Sequence, residues 1–506
     1  MSTSEKDLEQ VNSDHKEISY EQINDLATLP SESSATADPN NPLYWPLWTK
    51  IMILTQVSLL AALGGLNTAT VNPALNDLAE EFGITTVRAS YQTTVCIALN
   101  GVAPWLWIPF ANKYGRRPVY LFTTFLAFAS ILGCSYATSF ATLVVARVFN
   151  GLFPVAFALG ASTVTDLFFA QQRGRAMGFF TITMATGSHI APIVGGLIGG
   201  YVGWRWIFKF ISIVDAVMFL TSLVCLPETL YIQPSRTHSV TEDKAVIEPH
   251  ISTKIYLAHL RPISPLSKQM PPLRPLRFLL ATLRLSWYPS ILLPALYYAT
   301  NYGFASILPA VTVAAIFKPA YGWKTLKIGL TYGTSLTVGG ILGEFCSGWV
   351  VDALYIRAQR RHVQKHQTGH APPEVRLAAI WPGEILVTVA LLMYGFTLHY
   401  HGSVSWFAPI FAIGLGCFGL QIITTTCYTY AIDCYREHSS EVAQVFNFAR
   451  QMFGMTFAFY AVDVGEEIGF HLLFVIYAIL GGVVAFIGIL LVMWKGQQWR
   501  ERIART

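Results

Sequence analysis

The chain has 506 residues, of which 53% are hydrophobic and only 12% are charged, whereas an average soluble domain carries about 25% charged residues. Its mean hydropathy is +0.45. A water-soluble surface of this size would need more charged groups, so lipid must cover much of the exterior. The net charge of +5 is not gathered in a basic run with interleaved aromatic residues, and no nucleic-acid partner is expected.

The N-terminal segment 1–49 is the first feature in chain order. Its first 37 residues are polar, mixed in charge and rich in Ser, Glu and Asp. They contain no apolar segment of the kind found in a cleavable signal peptide, and we expect a mostly disordered cytosolic tail. Trp45 and Trp48 at its end suit the headgroup layer of a bilayer.

About twelve apolar segments of spanning length follow, separated by short polar loops. The predicted spans are 50–73, 90–111, 118–138, 141–164, 176–201, 206–227, 289–315, 327–350, 378–399, 405–431, 441–463 and 468–494. The segment 232–288, rich in Pro, Ser, Lys and Arg, divides them six and six. This pattern predicts an all-α polytopic membrane protein with a six-helix half at 50–231, a cytosolic linker at 232–288, a second half at 289–494 and a cytosolic tail at 495–506.

The distribution of Lys and Arg predicts the orientation of these spans. The segments 113–117, 173–175 and 357–365 are basic and fall on one side of the membrane, whereas 77–81 is acidic and falls on the other. The basic segment 318–327, on the acidic side, is an exception. The bias places both termini in the cytosol, and the plasma membrane is the expected location.

The seven cysteines lie within or at the ends of apolar segments, and none forms a Cys-x-x-Cys pair. Neither a disulfide framework nor a zinc site is indicated. The phosphate-binding pattern Gly-x-x-x-x-Gly-Lys-Ser/Thr does not occur. We therefore expect no metal and no cofactor, and any active transport would depend on an ion gradient.

The loop after the second span reads Asn-Lys-Tyr-Gly-Arg-Arg-Pro at 112–118. It resembles the loop motif of the major facilitator superfamily, which runs Gly, three residues, Asp-Arg, any residue, Gly-Arg-Arg. Ile108 and Asn112 stand where the family has the first Gly and the acid. The resemblance implies two six-helix halves around a central cavity, with transport by alternating access.

In that family the basic turn locks the two halves together through charge pairs. The resemblance implies a conformational latch formed by Arg116 and Arg117 with Asp166, which Arg173 would extend. The alternative is that the arginines only enforce the inside topology of the loop.

Arg147 lies in the fourth span, in the sequence Arg-Val-Phe-Asn-Gly at 147–151. This resembles the family motif Arg-x-x-Gln-Gly, whose Arg is implicated in proton coupling. A guanidinium at a helix centre costs about 2.5–3.5 kcal/mol on insertion scales, so it should face a cavity or a partner. The alternative is that Arg147 lies near the outer end of its span and extends to the membrane surface.

The fifth span contains the sequence 187–196, Gly-Ser-His-Ile-Ala-Pro-Ile-Val-Gly-Gly. It is similar to the antiporter motif Gly-x-x-x-Gly-Pro-x-x-Gly-Gly, carried here by Gly187, Ala191, Pro192, Gly195 and Gly196, with Ala191 in place of a Gly. This motif marks exporters, in particular the twelve-span drug:proton antiporters. The alternative is a generic packing face of small residues.

Two further segments resemble the fungal branch of that group: Trp-Arg-Trp-Ile-Phe at 204–208 and Leu-Pro-Glu-Thr-Leu-Tyr at 226–231. Carboxylates inside spans are the candidates for carrying protons, and these are Asp215 in span six and Glu344 in span eight. For Glu344 a charge near the inner end of the span is an equally open interpretation. His189 in span five is more simply explained as a hydrogen-bonded packing residue.

Polar and aromatic residues that would face the centre are the candidates for solute contact. They are Asn67, Tyr298, Asn301, Tyr302 and Gln421. The aromatic faces favour cationic or aromatic solutes.

The sequence therefore predicts a monomeric transporter, not an enzyme, whose partners are a small organic solute, protons and the lipid bilayer. Its expected activity is multidrug-type export by proton antiport. The alternatives are proton-coupled uptake of an organic cation such as a polyamine, and a solute sensor that does not transport.

Overall fold

The fold was analysed in a computed structural model, which describes residues 41–153, 155–231, 253–261, 275–366, 372–435 and 438–505. Most of the predicted N-terminal tail, much of the predicted linker and the last residue of the predicted C-terminal tail lie outside these ranges. Within them the chain is helical and contains no β-strand. The all-α architecture predicted from the sequence is confirmed.

Apart from those of the linker, the long helices of the described residues form two groups of six. The first group comprises α1 Leu47–Phe82, α2 Thr86–Tyr114, α3 Arg116–Ser135, α4 Phe140–Leu167, α5 Ala170–Val202 and α6 Trp204–Cys225. The second comprises α7 Pro289–Tyr321, α8 Thr325–His366, α9 Pro373–His399, α10 Phe407–Cys434, α11 Ser439–Met455 and α12 Phe470–Arg502. Within the described residues, ten helices are long and apolar enough to cross a membrane. The other two, α8 and α11, occupy predicted spans eight and eleven.

Several helices are interrupted within the membrane. A 3₁₀ turn at Asn72–Ala74 divides α1 where Pro73 removes a backbone donor, and α4 consists of the segments Phe140–Leu152 and Ala156–Leu167. Single π-helical turns occur at Gly303–Ile307 in α7 and at Leu480–Ala485 in α12. Such turns leave backbone groups to be satisfied by neighbouring helices, which in a membrane requires that they face protein.

Two seams join the halves. Helix α5 of the N-terminal half lies along α8 of the C-terminal half, and α2 lies along α11. At the second seam the rings of Trp105 and Phe448 stack with their centroids 4.5 Å apart. Close by, the Asn447 amide donates to the backbone carbonyl of Asn100 at 3.2 Å.

The ends at which the odd-numbered helices finish are called the outer end here, following the predicted orientation. Three polar contacts join the halves at this end. Asn76 donates to the carbonyl of Ala314 at 2.7 Å, Thr325 donates to Asp77 at 2.6 Å, and Lys318 forms an ion pair with Glu80. The last pair balances the charge of Lys318, one of the three lysines in the basic segment 318–327.

The outward-facing surface of the bundle is apolar. Large side chains such as Ile213, Phe122 and Trp349 are 58%, 53% and 76% exposed. Contiguous apolar exposure of this kind belongs in lipid rather than in water. The polar side chains with functional potential lie instead inside the two halves and along their seams.

Candidate functional site

Arg147 lies at the centre of the N-terminal half and is 0% exposed. Its Nε donates to Gln92 of α2 at 2.6 Å, and its Nη1 donates to the backbone carbonyl of Asn67 at 2.7 Å. Its guanidinium carbon is 4.8 Å from the ring centroid of Phe208 on α6. This placement contradicts the alternative in which Arg147 extends to the membrane surface, and it agrees with a side chain that needs internal partners.

Asn67 connects this arginine to the buried acid. While its carbonyl accepts from Arg147, its side-chain amide donates to the two carboxylate oxygens of Asp215 at 3.3 and 3.2 Å. Asp215, on α6, is 0% exposed. Asn67 therefore bridges the guanidinium of Arg147 and the carboxyl group of Asp215, in place of a direct ion pair between them.

A cavity of about 20 Å³ borders Asn67, Asp215 and Tyr120. A water molecule needs roughly 10–15 Å³ of such space and two or more polar partners. The cavity is thus large enough for one water molecule beside the carboxylate of Asp215.

The network is incompletely satisfied. Among the described residues, Nη2 of Arg147, Oδ1 of Asn67 and Nδ2 of Asn150 have no hydrogen-bond partner. Buried polar groups are normally paired, and a network with spare donors and acceptors can exist in more than one arrangement. We refer to Asn67, Gln92, Arg147, Asn150 and Asp215 as the Arg147 network.

The predicted latch residues meet at the start of α3. Arg116 forms an ion pair with Asp166 at 2.6 Å. Asp166 therefore places a carboxylate beside Arg116, whereas Asn112 carries no charge. The Arg117 guanidinium donates to backbone carbonyls at the end of α6, including that of Leu223 at 2.9 Å.

Glu228 completes this site, although sequence reasoning gave it no role. Its carboxylate accepts from the backbone N–H groups of Arg116 and Arg117 at 3.0 and 3.2 Å. A carboxylate is favoured at this position, because the first N–H groups of a helix lack internal partners and carry partial positive charge. The backbone N–H of Glu228 also donates to the carbonyl of His259 at 2.9 Å, which attaches the linker helix Thr253–His259 to the end of α6.

Arg173 donates to the carbonyl of Thr165 at 3.1 Å. These contacts of Arg116, Arg117, Asp166 and Arg173 all lie within the N-terminal half. In this conformation the predicted latch organises one half, and its role in locking both halves together stays a prediction.

The antiporter-type motif of α5 lies where this helix closely approaches α1 and α8. A Cβ atom on Gly195 would meet the carbonyl oxygen of Thr70 on α1, and one on Gly196 would lie 2.6 Å from the Cα of Gly329 on α8. No side chain fits at either position. Gly187 is likewise covered by α1 at Ala62. The motif therefore forms an interface on two sides, within the N-terminal half and across the seam.

Glu344 and His189 lie at the same seam and outside the Arg147 network. Glu344 is partly buried, with the Thr181 hydroxyl of α5 as a hydrogen-bond partner. The His189 ring is 3.7 Å from the Cys417 sulfur on α10. The structure thus does not bring Glu344 together with Asp215, and the two candidate proton carriers occupy separate places.

The predicted cavity residues are divided among several environments. Asn67 belongs to the Arg147 network, Asn301 is 0% exposed and faces Gly481 on α12, and Gln421 packs against Gly343 of α8. Tyr298 and Tyr302 contact Arg450 of α11, with a 3.2 Å hydrogen bond and a 4.8 Å distance to the ring centroid respectively.

Glu384 is a buried acid that sequence reasoning missed. It is 5% exposed on α9, accepts from the Tyr297 hydroxyl of α7 and accepts from Thr388 at 2.9 Å. The available signal was a carboxylate inside a predicted apolar span. There was no comparable indication in the sequence for Gln92, because its importance comes from a hydrogen bond to Arg147, which lies 55 positions away in the chain.

Comparison with known families decides what kind of protein this is. The family profile described as Major Facilitator Superfamily matches residues 57–459. The chain belongs to this superfamily. The resemblance of the loop and span motifs is thereby confirmed at the level of the family, whose members are transporters.

Individual relatives agree with this assignment. The chain is 26% identical to the MFS-type transporter penM of Penicillium rubens over 418 residues, which are 80% of this chain and 76% of the relative. It is 26% identical to the probable efflux pump mfs2 of Aspergillus flavus over 403 residues, 79% of this chain and 91% of the relative. The expected similarity to fungal members is confirmed.

A solved structure shows the same fold. A bacterial homologue of the human lysosomal transporter Spinster, in an inward-facing and unoccupied conformation, superposes with a TM-score of 0.57 and 14% identity. The match covers 90% of this chain and 98% of that one. The two six-helix halves described above are therefore the arrangement of this superfamily.

Proposed function

We propose that this superfamily member exports small organic molecules in exchange for protons, by alternating access between its two halves. The observation that carries the proposal is the Arg147 network, in which one asparagine contacts both a buried guanidinium and a buried carboxylate. Within spans, ionisable groups are costly to bury and mark ion or proton pathways.

The side chain of Asn67 can form a hydrogen bond with Asp215 in either protonation state of the acid. With the carboxylate charged, the Asn67 amide donates to it, as observed. With the carboxyl group protonated, its O–H needs an acceptor, and Oδ1 of Asn67 is without a partner among the described residues. A half-turn of the Asn67 amide would make this bond, so proton binding changes the contact between α1 and α6.

A change at α1 can reach the C-terminal half through existing contacts. Helix α1 packs along the glycine face of α5, which lies against α8 at Gly329. Its outer end also contacts α8 directly, through the hydrogen bond between Asp77 and Thr325. Proton binding at Asp215 therefore biases the seam on which alternating access depends.

Export, rather than uptake, is supported by the antiporter-type motif of α5 and by the names of relatives. Both the Aspergillus flavus protein and radE of Floropilus chiversii are described as efflux pumps. The motif and the names of the relatives support export as the direction of transport, whereas the Arg147 network supports coupling of transport to protons.

The test is accumulation of fluorescent organic compounds of both charges in cells that lack their own efflux pumps, with and without this chain. Proton-driven export predicts lower accumulation with the chain and restoration by a protonophore. Higher accumulation would instead support uptake. Unchanged accumulation of every compound would contradict transport of this solute class.

A further inference from the structure

Arg450 is a cation in the middle of the C-terminal half, on the face of α11 that meets the N-terminal half. Asn447, one turn earlier, donates to α2 at Asn100, and Gln451, the next residue, packs on Gly101 of α2. Although it lies inside the helix bundle, Arg450 is only partly buried. Its side chain therefore has access to space near the junction of the two halves.

The partners of this guanidinium are neutral. Its Nε and Nη2 donate to the Asn447 side-chain oxygen at 3.3 and 3.1 Å, and its Nη1 donates to the Tyr298 hydroxyl at 3.2 Å. In the described part of the chain no carboxylate forms an ion pair with it.

Two other arginines of the chain are paired with a carboxylate, unlike Arg450. Arg116 forms an ion pair with Asp166, and Arg500 forms a two-pronged pair with Glu374, with both donors at 2.8 Å. These pairs lie near the ends of the helices, where water can share in their solvation. Of these three arginines in the described part of the chain, Arg450 is the one without an ion pair.

A cluster of four aromatic rings lies beside this guanidinium, two of them buried and two partly exposed. Tyr298 and Phe446 are buried, with centroids 5.9 Å apart. Tyr302 and Tyr428 are partly exposed; the ring of Tyr302 lies under the guanidinium and that of Tyr428 meets Tyr298 edge-on at 5.4 Å. The partly exposed rings of Tyr302 and Tyr428 offer flat apolar surfaces near the positive charge of Arg450.

We propose that Arg450, with Tyr302 and Tyr428, forms a subsite for the carboxylate of an aromatic organic anion. A guanidinium presents its donors as a fork that fits a carboxylate, and the tyrosine rings can stack on the solute. The inference rests on the proposed transport function and names its substrate class. From the sequence we expected cationic or aromatic solutes; the inference keeps the aromatic class and replaces the cationic one, because Arg450 would repel a cation at this position.

The test is binding of two xanthene dyes of opposite charge to the purified full-length chain. Fluorescein carries a carboxylate, whereas rhodamine B ethyl ester has the same ring system, a positive charge and an esterified carboxyl group. Fluorescence anisotropy gives the Kd of each dye for the wild type, for Arg450→Gln, for Arg450→Lys and for Arg357→Gln. Arg357 is an exposed arginine of α8 and serves as the matched control.

We expect the wild type to bind fluorescein more tightly than the ester. Arg450→Gln should weaken fluorescein binding about tenfold or more, Arg450→Lys should weaken it less, and Arg357→Gln should leave it unchanged. The Kd for the ester should not rise in Arg450→Gln. Three results would overturn the proposal. The wild type could bind the ester more tightly than fluorescein, it could bind neither dye, or its Kd for fluorescein could stay the same when Arg450 is replaced by Gln.

The same proteins in liposomes separate this inference from the proposed function. Charge-dependent fluorescein binding without gradient-driven movement of the dye would support the anion subsite and contradict the exporter. Gradient-driven movement of the ester but not of fluorescein would support the exporter and contradict the anion subsite.

Discussion

Asn67 contacts Arg147 with its backbone and Asp215 with its side chain, at 2.7 Å and at 3.2 and 3.3 Å. A cation and an acid that are both fully buried are thus linked by a residue that can donate or accept. The arrangement differs from a direct ion pair, because the proton state of the acid can change without leaving the guanidinium unpartnered.

Replacement of Asp215 by Asn should abolish proton-driven transport and leave the fold intact. The amide has the shape of the carboxyl group but cannot exchange a proton. Transport is measured in liposomes with an imposed pH gradient, and folding by size-exclusion profile and Tm. Asp352→Asn, at an exposed acid of α8, is the matched control. Wild-type transport by Asp215→Asn would remove Asp215 from the mechanism.

Replacement of Asn67 by Ala should impair both stability and coupling. Asp215 then loses its observed side-chain donor, and leaving a buried polar group unpaired costs about 1–3 kcal/mol. We expect a lower Tm and a loss of gradient-driven transport, measured on the purified protein. Asn112→Ala, at an exposed position in the last turn of α2, should change neither. If Asn67→Ala lowered Tm but transported normally, the asparagine would be structural only.

The seam between α5 and α8 should not tolerate a methyl group at Gly196. Its Cβ would lie 2.6 Å from the Cα of Gly329, and a backbone atom cannot move aside as a side chain can. Gly196→Ala should therefore lower the transport rate about tenfold or more, since a cost of 1.4 kcal/mol already corresponds to that factor.

Gly178→Ala is the matched control for this change. It lies on the same helix, and a Cβ there meets no atom within 4 Å. The initial rate of dye efflux in liposomes compares the two variants. Equal rates would show that close approach at this seam is not needed for transport.

Replacement of Glu228 by Gln should destabilise the start of α3. The carboxylate accepts from the N–H groups of Arg116 and Arg117, and a capping acceptor at a helix N-terminus contributes about 0.5–2 kcal/mol. A reduced Tm in detergent is expected. The exposed acid Glu466 provides the control Glu466→Gln, which should leave Tm unchanged. Equal Tm values for both variants would contradict a stabilising role of the cap.

Within the described residues, the ten helices that are long and apolar enough to cross a membrane were predictable, because hydropathy measures the property that inserts a segment into lipid. Helices α8 and α11 are not among these ten. The ends of the helices were predicted less accurately. Helix α8 continues to His366, well past the predicted end at 350, because a helix can continue beyond its apolar stretch. In α4 the predicted continuous span is two helical segments. Hydropathy does not record such breaks.

The candidate site was predictable only in part. Arg147, Asp215 and Asn67 stood out as polar groups in apolar spans, since their burial is costly. That Asn67 would join the other two depends on the packing of α1, α4 and α6, which one sequence does not reveal. The same holds for Glu384, whose partner Tyr297 lies 87 positions away.

Proton antiport can be tested by measuring the proton movement that a solute gradient drives. The purified chain is placed in liposomes that contain a trapped pH-sensitive dye, and a gradient is imposed of a solute that the cell assay identifies as exported. Proton antiport predicts proton movement opposite to the solute in the wild type and none in Asp215→Asn. Solute movement without protons, or with protons in the same direction, would contradict proton antiport.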